Sequence, residues 1–399
     1  MVTLYGSGIS KSGNYNCDKN SCSIYITVFS AHTPDSIMKK KNSYTFRHQD
    51  RRSFLKTNAS LGLGALSSGL FLTQSCTSGD KNGSPDKQSP DYLLSKYQQC
   101  LGGPFPDAVP LNPVLRETTK KDGYRIESVT YEVQSGERIP ALLLIPDDVA
   151  PSNPAPGIAV WHQHNGEYHL GKSEPAGLAG NPMHHTAVAL VREGYVVLCP
   201  DSLCFEERQD PTGILQRGEY ERFEFLREVV RGRSLAWKDV LDMKTSVNYL
   251  SQRPEVRSDK LGCYGHSMGS THAWLAGPLD SRLKCVIGNC CLPTYEAIEE
   301  THILHCFPNF VPGWKQYGDT PEIAALIAPR ALHLNFGEKD SGSPIESVKR
   351  GLIRISEAYK KSGFPENFTY FIEPGAEHVL SETMWQHVKE CFAKHLKTS

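Results

Sequence analysis

The sequence predicts an α/β domain whose mostly parallel central sheet carries helices on both faces. Strand-like and helix-like runs alternate from about residue 125 to the end of the chain. A G-x-S-x-G motif at residues 265–269 stands between one such strand and the next helix. About 300 residues follow the leader, which is enough chain to bury one large core. Together these observations predict a single large α/β domain.

The first two predicted strands, 128–133 and 139–145, are expected to form an antiparallel pair joined by the turn 134–137. The later strands are predicted at 157–161, 195–199, 260–265, 283–288, 331–336 and 367–372. The helices are predicted at 183–193, 234–251, 268–276, 344–361 and 381–397. Because ligands bind at the carboxyl ends of parallel strands, polar residues that follow these strands are the candidates for a site.

Ser267 is the candidate nucleophile. It is the central residue of the sequence Gly-His-Ser-Met-Gly, which follows an apolar strand at 260–264 and precedes a helix-compatible run at 270–276. A strand that turns sharply into a helix holds its serine in a strained conformation with the hydroxyl exposed. Gly265 and Gly269 let the strand and the helix approach each other without side-chain clashes.

Asp340 and His378 are the candidate acid and base. Asp340 lies in a turn-rich loop after strand 331–336, where Glu338 is the alternative acid. His378 ends the loop after strand 367–372, so the chain order is serine, acid, histidine. His378 would take the proton of Ser267 and return it to the leaving group. Asp340 would orient the imidazole and stabilise the imidazolium.

Two backbone N–H groups are expected to stabilise the oxyanion of a tetrahedral intermediate. One belongs to Met268, which directly follows the nucleophile. The other lies in the loop 162–167 after strand 157–161, at His164 or alternatively at Gln163.

Histidines are dense in the same region and raise a metal site as an alternative. They are His162, His164, His169, His184 and His185. Zinc needs three or four converging ligands with outer hydrogen-bonding support, and no H-E-x-x-H motif accompanies this cluster. The preferred interpretation is that the histidines line the mouth of the site or satisfy backbone groups, with no metal and no cofactor.

Two long excursions, 203–233 and 291–317, follow strands at the carboxyl end of the predicted sheet. Insertions in this position often form lids or substrate walls, and the alternative is that they only cover exposed core. The residues expected to form the substrate wall are Trp161, His162, Phe205 and Trp314.

Several stretches resemble the α/β-hydrolase superfamily and, within it, the dienelactone hydrolase and acetyl xylan esterase-like branch. They are residues 160–166, residues 195–201 followed by 205–208, residues 249–256, and residues 326–332 leading to Asp340. The chain carries serine where dienelactone hydrolases carry cysteine, and Glu206 and Ser270 stand where the family often has glycine. Over about residues 125–397, the resemblance implies an α/β-hydrolase fold with lid-like insertions that hydrolyses carboxylic esters through an acyl-enzyme without a cofactor.

The leader has the features of an export signal. Basic residues at 39–41 and the run Arg-Arg-Ser-Phe-Leu-Lys at 51–56 precede a short apolar stretch at 61–72. This pattern predicts a twin-arginine-like signal peptide over residues 38–75 and export in a bacterium, to the periplasm or to a membrane surface. Residues 1–37 show no helical or strand period, so translation is expected to begin at Met38.

Residues 72–76 resemble a lipoprotein box that ends at Cys76. Lipidation of Cys76 would anchor the protein to a membrane, and simple cleavage nearby is the alternative. Residues 76–95 are predicted to be a flexible polar linker, and residues 96–399 to be the hydrolase domain.

The number of cysteines and the net charge limit what can be expected of disulfides and of binding partners. The chain has 12 cysteines, nine of them after residue 76, and an odd number cannot all pair. Cys199, Cys263 and Cys285 fall in predicted strands and are expected to be buried as small apolar side chains. The formal net charge of −1 gives no indication of a nucleic-acid partner.

The sequence therefore predicts an exported serine esterase that acts on a small-molecule or carbohydrate ester. A serine peptidase of the prolyl oligopeptidase type is an alternative, although no propeller domain is predicted. A hydrolase-fold protein that binds without catalysis is a second alternative, and a metalloenzyme built on the histidines is a third.

Overall fold

The computed structural model describes residues 89–398 and the backbone of three strands near the start of the chain. The chain divides into two compact units, residues 1–80 and 81–399. In the first unit, the strands form an antiparallel sheet; they are β1 (Val2–Gly6), β2 (Ile9–Asp18) and β3 (Ser21–Thr27). The sequence showed no strand period there, but hairpins with two-residue connections form through backbone pairing and do not require an alternating apolar pattern. The predicted signal peptide and Cys76 lie outside the described residues.

The second unit is built on a nine-stranded sheet in the order β12-β11-β10-β9-β7-β8-β6-β5-β4. The strands are β4 (Val114–Lys121), β5 (Tyr124–Gln134), β6 (Glu137–Pro146), β7 (Ala155–Trp161), β8 (Val196–Pro200), β9 (Val256–His266), β10 (Leu283–Asn289), β11 (Ala331–Gly337) and β12 (Phe368–Glu373). Strands β7 to β12 are parallel to their neighbours among themselves, and β4, β5 and β6 are joined in antiparallel fashion. The predicted fold class and the antiparallel opening pair are confirmed.

Helices cover both faces of this sheet. They are α1 (Pro90–Leu101), α2 (Thr186–Arg192), α3 (Gly218–Val230), α4 (Leu235–Ser251), α5 (Met268–Ala276), α6 (Tyr295–Thr301), α7 (Thr320–Ala325), α8 (Ile345–Lys361) and α9 (Glu382–Phe392). Successive side chains of β6 point to opposite faces, so Leu143 and Ile145 enter one apolar core while Leu142 and Leu144 enter the other. The first core includes residues of α4, α5 and α8, and the second includes residues of α2 and α9. No helix among the described residues is long and apolar enough to cross a membrane.

Helix α1 corrects the predicted linker, because residues 90–95 are helical. Ser89 is the N-cap, its hydroxyl accepting a hydrogen bond from the Tyr92 N–H at 3.3 Å, and Pro90 begins the helix. The buried Tyr97 donates its hydroxyl proton to the carbonyl of Leu275 at 2.9 Å. The Ser-Pro-Asp sequence has the composition of a linker, but here it forms a helix start whose apolar residues pack on the domain.

Nine cysteines lie between residues 100 and 391, and all nine are free thiols. Cys199, Cys263 and Cys285 occupy β8, β9 and β10 and are fully buried, as the sequence predicted. These thiols therefore act as small apolar side chains in the two cores.

The first excursion is held to the domain by buried ion pairs. The Arg208 guanidinium lies 2.7 Å from Asp242 of α4 and 2.6 Å from Glu137 of β6. The buried Lys172 ammonium lies 2.8 Å from Asp201 and 2.6 Å from Glu206. Removing one partner of such a pair leaves an uncompensated buried charge, so these contacts hold the segment after β8 in a single position.

The second excursion packs against the first through stacked rings of Phe225 and Phe307, whose centroids are 4.6 Å apart. Trp314 was expected to face substrate, and that expectation is wrong. Its side chain is fully buried, its ring makes an edge contact with Tyr97 at 5.7 Å, and its indole N–H donates to the carbonyl of Asp319 at 2.8 Å. The physical reason is that α1, which is distant in sequence, covers this tryptophan.

Replacing Trp314 with alanine tests this assignment. We expect the Trp314→Ala variant to lose about 3–5 kcal/mol of unfolding free energy, because the change removes a fully buried aromatic side chain. Leu304→Ala is the matched control, since Leu304 lies in the same excursion and is 99% exposed; it should change stability by less than about 0.5 kcal/mol. Equal denaturation midpoints for the two variants would contradict a structural role for Trp314.

Candidate active site

Ser267 stands at the junction of β9 and α5 in a strained backbone conformation, with φ 57° and ψ −119°. A Cβ at Gly265 would lie 2.0 Å from the carbonyl of Gly269, and a Cβ at Gly269 would lie 2.1 Å from the carbonyl oxygen of Trp161. Both contacts are far shorter than any real Cβ contact, so both positions require glycine. The Ser267 N–H donates to the carbonyl of Asn289 at 2.8 Å, which fastens the turn to the end of β10.

Asp340 and His378 are brought together from the loops after β11 and β12. His378 Nδ1 lies 2.8 Å from Asp340 Oδ2, and the other carboxylate oxygen accepts the Gly342 N–H at 2.9 Å. The Asp340 side chain is 1% exposed while the His378 side chain is 40% exposed. With Nδ1 donating to the carboxylate, Nε2 is the ring nitrogen able to accept a proton. Glu338, the alternative acid, instead accepts the Gly375 N–H at 2.8 Å.

Ser267 and His378 lie on adjacent parts of the same edge. Within the described residues no hydrogen bond joins the Ser267 hydroxyl to His378, and catalytic hydrogen bonds are often long or poorly aligned before substrate binds. Ser267 and His378 are close to each other because His266 directly precedes Ser267, and the ring centroid of His266 lies 5.0 Å from that of His378. The structure therefore groups the three sequence-predicted residues at the carboxyl ends of β9, β11 and β12.

Asn289, which the sequence analysis did not single out, links Ser267 to the loop that carries His378. Its carbonyl accepts the Ser267 N–H, and its side-chain amide donates to the carbonyl of Val379 at 3.2 Å, one residue after His378. The same amide donates to His266 Nδ1 at 2.8 Å. The sequence signal for this role is the carboxamide of Asn289 at the carboxyl end of β10, a mostly apolar strand. A buried polar side chain in that position needs hydrogen-bond partners.

Three histidine rings pack in a row beside the site, each tilted relative to the next. The ring centroids of His184 and His266 are 4.7 Å apart, and His378 follows at 5.0 Å. Burial lowers the pKa of His184 to about 4 and holds the pKa of His266 well below its usual value. Both rings are consequently neutral at pH 7, so they place no positive charge next to His378.

The loop after β7 lies against the elbow, because the carbonyl groups of Trp161 and His162 contact Gly269. The N–H groups at the start of a helix such as α5 have no intrahelical partner and face an anion favourably. That geometry suits Met268 as one oxyanion donor, with the second in the adjacent loop. The side chains of the two alternatives point to other partners: Gln163 donates to Glu174 at 3.0 Å, and His164 Nε2 lies 3.0 Å from Glu221 of α3.

The remaining predicted wall residues do not present a surface to substrate. Trp161 and His162 are each 3% exposed, and Phe205 is 1% exposed. His162 Nε2 accepts the Ser202 N–H at 3.1 Å, and Phe205 stacks on Tyr168 at 4.9 Å. These buried side chains pack beneath the loop after β7. Their assignment to a substrate wall is therefore wrong, as it is for Trp314.

The histidine cluster does not assemble into a metal centre. In the part of the chain that the structure describes, none of the five histidines belongs to a group of three or more ligand atoms close enough to share an ion. His164 pairs with Glu221, and His185 Nε2 lies 3.1 Å from the carbonyl of Ala179. The partners of His164 and His185 are therefore protein groups, whereas Nδ1 of the buried His184 has no hydrogen-bond partner among the described residues.

A cleft of about 400 Å³ opens beside His378. It is lined by Gln163, Asn165, Glu167, Gly180, Asn181, Met183, His184 and His378. Its lining therefore combines three carboxamides and one carboxylate with the exposed base, and it contains no lysine or arginine.

The chain is similar to proteins of known family and known structure. A family model described as the Abhydrolase family matches residues 97–389. The protein YtaP of Bacillus subtilis (strain 168), which carries the name of a hydrolase, is 27% identical over 269 residues, covering 66% of this chain and 86% of that protein.

Two solved structures share the fold. A candidate acetyl xylan esterase from Bacteroides fragilis NCTC 9343 aligns with a TM-score of 0.58 at 19% identity, covering 71% of this chain and 74% of its own. A glucuronoyl esterase from Solibacter usitatus aligns with a TM-score of 0.58 at 18% identity, covering 78% and 93%. At these identities the likeness concerns the fold.

The role of Asn289 can be tested by truncation. We expect Asn289→Ala to lower kcat by about 10- to 100-fold with little change in KM, because the loop that carries the base loses its link to the nucleophile. The measurement is steady-state hydrolysis of an activated ester. Asn335→Ala is the matched control: Asn335 pairs in register with Asn289 in the next strand, and its amide donates to the carbonyl of Met384. Equal losses of kcat in the two variants would show that Asn289 acts only through stability.

Proposed function

The chain belongs to the Abhydrolase family, and on that basis we propose that it is a serine hydrolase acting on carboxylic esters. The observation that carries the proposal is the hydrogen bond between His378 and the buried Asp340, placed at the same sheet edge as the strained Ser267. Strain of this kind at a non-glycine residue costs about 1–3 kcal/mol and persists where it serves a function.

The mechanism follows from the proton positions. The Ser267 hydroxyl attacks the ester carbonyl while His378 Nε2 removes its proton. Asp340 holds Nδ1 and stabilises the imidazolium that forms, and the N–H of Met268 with that of His164 or Gln163 stabilises the oxyanion. The imidazolium then protonates the departing alcohol, leaving an acyl-enzyme on Ser267. A water molecule activated by His378 releases the acid by the same steps in reverse.

The alcohol portion of the substrate is proposed to be a hydroxylated group such as a sugar. The cleft beside His378 supports this, because carboxamides and a carboxylate offer paired donors and acceptors to hydroxyl groups. The two solved structures with this fold carry the names of esterases that act on carbohydrate material, which agrees with the proposal. The aromatic residues predicted for the substrate wall are buried, so the proposed sugar subsite depends on hydrogen bonds in the polar cleft.

Replacing the nucleophile tests the mechanism. We expect Ser267→Ala to lower the hydrolysis of p-nitrophenyl acetate by at least about 10³-fold, since the acyl-enzyme can no longer form. Ser270→Ala is the control, because Ser270 is a buried serine one turn further along α5 that donates to the carbonyl of Cys291. It should keep most of the activity, and a chelator should have no effect.

Other outcomes of this assay separate the alternatives. Full activity of Ser267→Ala would overturn the serine mechanism, and loss of turnover on chelation alone would favour a metalloenzyme. Turnover of peptides but not esters would favour the peptidase, and no turnover of any ester would favour a binding protein. Acetylated xylo-oligosaccharides, compared with acetylated simple alcohols, report on the proposed sugar subsite.

We further propose that the protein is exported through its twin-arginine-like leader. The support is sequence alone: the paired arginines at 51–52 precede a short apolar stretch at 61–72. Expression of the chain from Met38 in a bacterial host should place the hydrolase in the periplasmic or membrane fraction, the latter if Cys76 is lipidated. Replacing both arginines with lysine should retain it in the cytoplasm, and an unchanged distribution would contradict this route.

A further inference from the structure

We propose that Cys290, Asp340 and His378 form a binding site for a thiophilic divalent cation, Zn²⁺ or Cd²⁺, and that occupation of this site inhibits the hydrolase. The inhibitory consequence rests on the proposed function, whereas cation binding itself does not. The site differs from the histidine cluster considered above, since it draws its ligands from the ends of β10, β11 and β12.

The geometry of three ligand atoms carries this inference. The Cys290 thiol, one carboxylate oxygen of Asp340 and one ring nitrogen of His378 all lie within 4.8 Å of one another. Cys290 and Asp340 are buried and His378 is exposed, so two ligands are held by the core while the third faces the approach of an ion. Cys290 also has a positive φ of 56°, an uncommon conformation for a non-glycine residue and one that clusters at functional positions.

The chemistry of the ligand set selects the ion. Thiolate, imidazole and carboxylate together suit Zn²⁺ and the softer Cd²⁺, and do not suit Mg²⁺ or Ca²⁺, which prefer oxygen ligands alone. Bond lengths of about 2.0–2.3 Å to Zn²⁺ place tetrahedral ligand atoms roughly 3.3–3.8 Å apart, so Nδ1 and Oδ2, now 2.8 Å apart, must separate slightly to admit the ion. The exposed loop that carries His378 can supply this movement, and solvent would occupy the fourth position.

Binding at this site would disable the base through its tautomer. His378 Nδ1 is the nitrogen that already faces Asp340, so a cation there would coordinate the Nδ1 lone pair and move the remaining ring proton to Nε2. A protonated Nε2 cannot accept the proton of Ser267. The thiol of Cys290, which now donates to the carbonyl of Val379 at 3.1 Å, would lose its proton to solvent and bind as thiolate.

The proton balance of this step is therefore one proton released per cation bound. Because binding releases a proton, the apparent affinity for the cation should rise with pH.

Cadmium titration of the whole protein tests the proposal. In the Ser267→Ala background, which carries no turnover, we expect one Cd²⁺ to bind with the ultraviolet charge-transfer band of a Cd–thiolate bond. Cys290→Ser retains a hydrogen-bond donor to Val379 but replaces the thiolate ligand; it should remove the band and weaken binding at least about 30-fold. Cys391→Ser, at a partly exposed cysteine on α9, should change neither.

Inhibition is measured on the active protein relative to the uninhibited rate of each variant. We expect Zn²⁺ and Cd²⁺ to inhibit wild type and Cys391→Ser reversibly, and Cys290→Ser at least about 30-fold less strongly. Retention of the band or of full inhibition in Cys290→Ser would overturn the site. If that variant does not fold, as judged by its thermal transition, Cys290→Ala takes its place. Failure of the serine mechanism would appear as an active Ser267→Ala and would leave the Cd²⁺ titration unaffected.

Discussion

The close packing of the elbow is the constraint on which the site depends. Strand β9 and helix α5 approach so closely that the glycines at 265 and 269 leave no space for a side chain, and the second of them lies directly against the carbonyl of Trp161. This contact places the first turn of α5 beside the loop after β7. The nucleophile, the helix N-terminus and the loop expected to hold the oxyanion are thereby set by a single backbone contact rather than by flexible side chains.

Hydrogen bonds from one strand to the next extend this constraint across the sheet edge. The carbonyl of Asn289 holds the Ser267 turn, and its amide holds the loop behind His378. Two neutral histidine rings, at 184 and 266, fill the space beside the base without adding charge. His378 is consequently exposed on one side and contacted on the other by the neutral His266 ring.

The first excursion packs against the loop after β7. Helix α3 contributes Glu221, which accepts a hydrogen bond from Tyr168 and pairs with His164 of that loop. Trp314 of the second excursion, which was expected to contact substrate, instead packs in the core against Tyr97. A polar cleft, lined by three carboxamides and one carboxylate, opens beside His378.

The sequence by itself determined the fold class, eight of the nine strands of the large sheet and the candidates Ser267, Asp340 and His378, because these depend on local periodicity and on a motif whose strand and helix are contiguous. Strand β4 and helices α3, α6 and α7 were not predicted. Helix α1 was missed because its start has the composition of a linker. Burial and pairing between distant segments were decided only by the tertiary structure. The choice of Asp340 over Glu338, the linking role of Asn289 and the interior position of Trp314 each require knowing which residue faces which. The sequence of one segment does not show which distant residues that segment will contact. The contacts around Ser267 are therefore visible only in the folded structure.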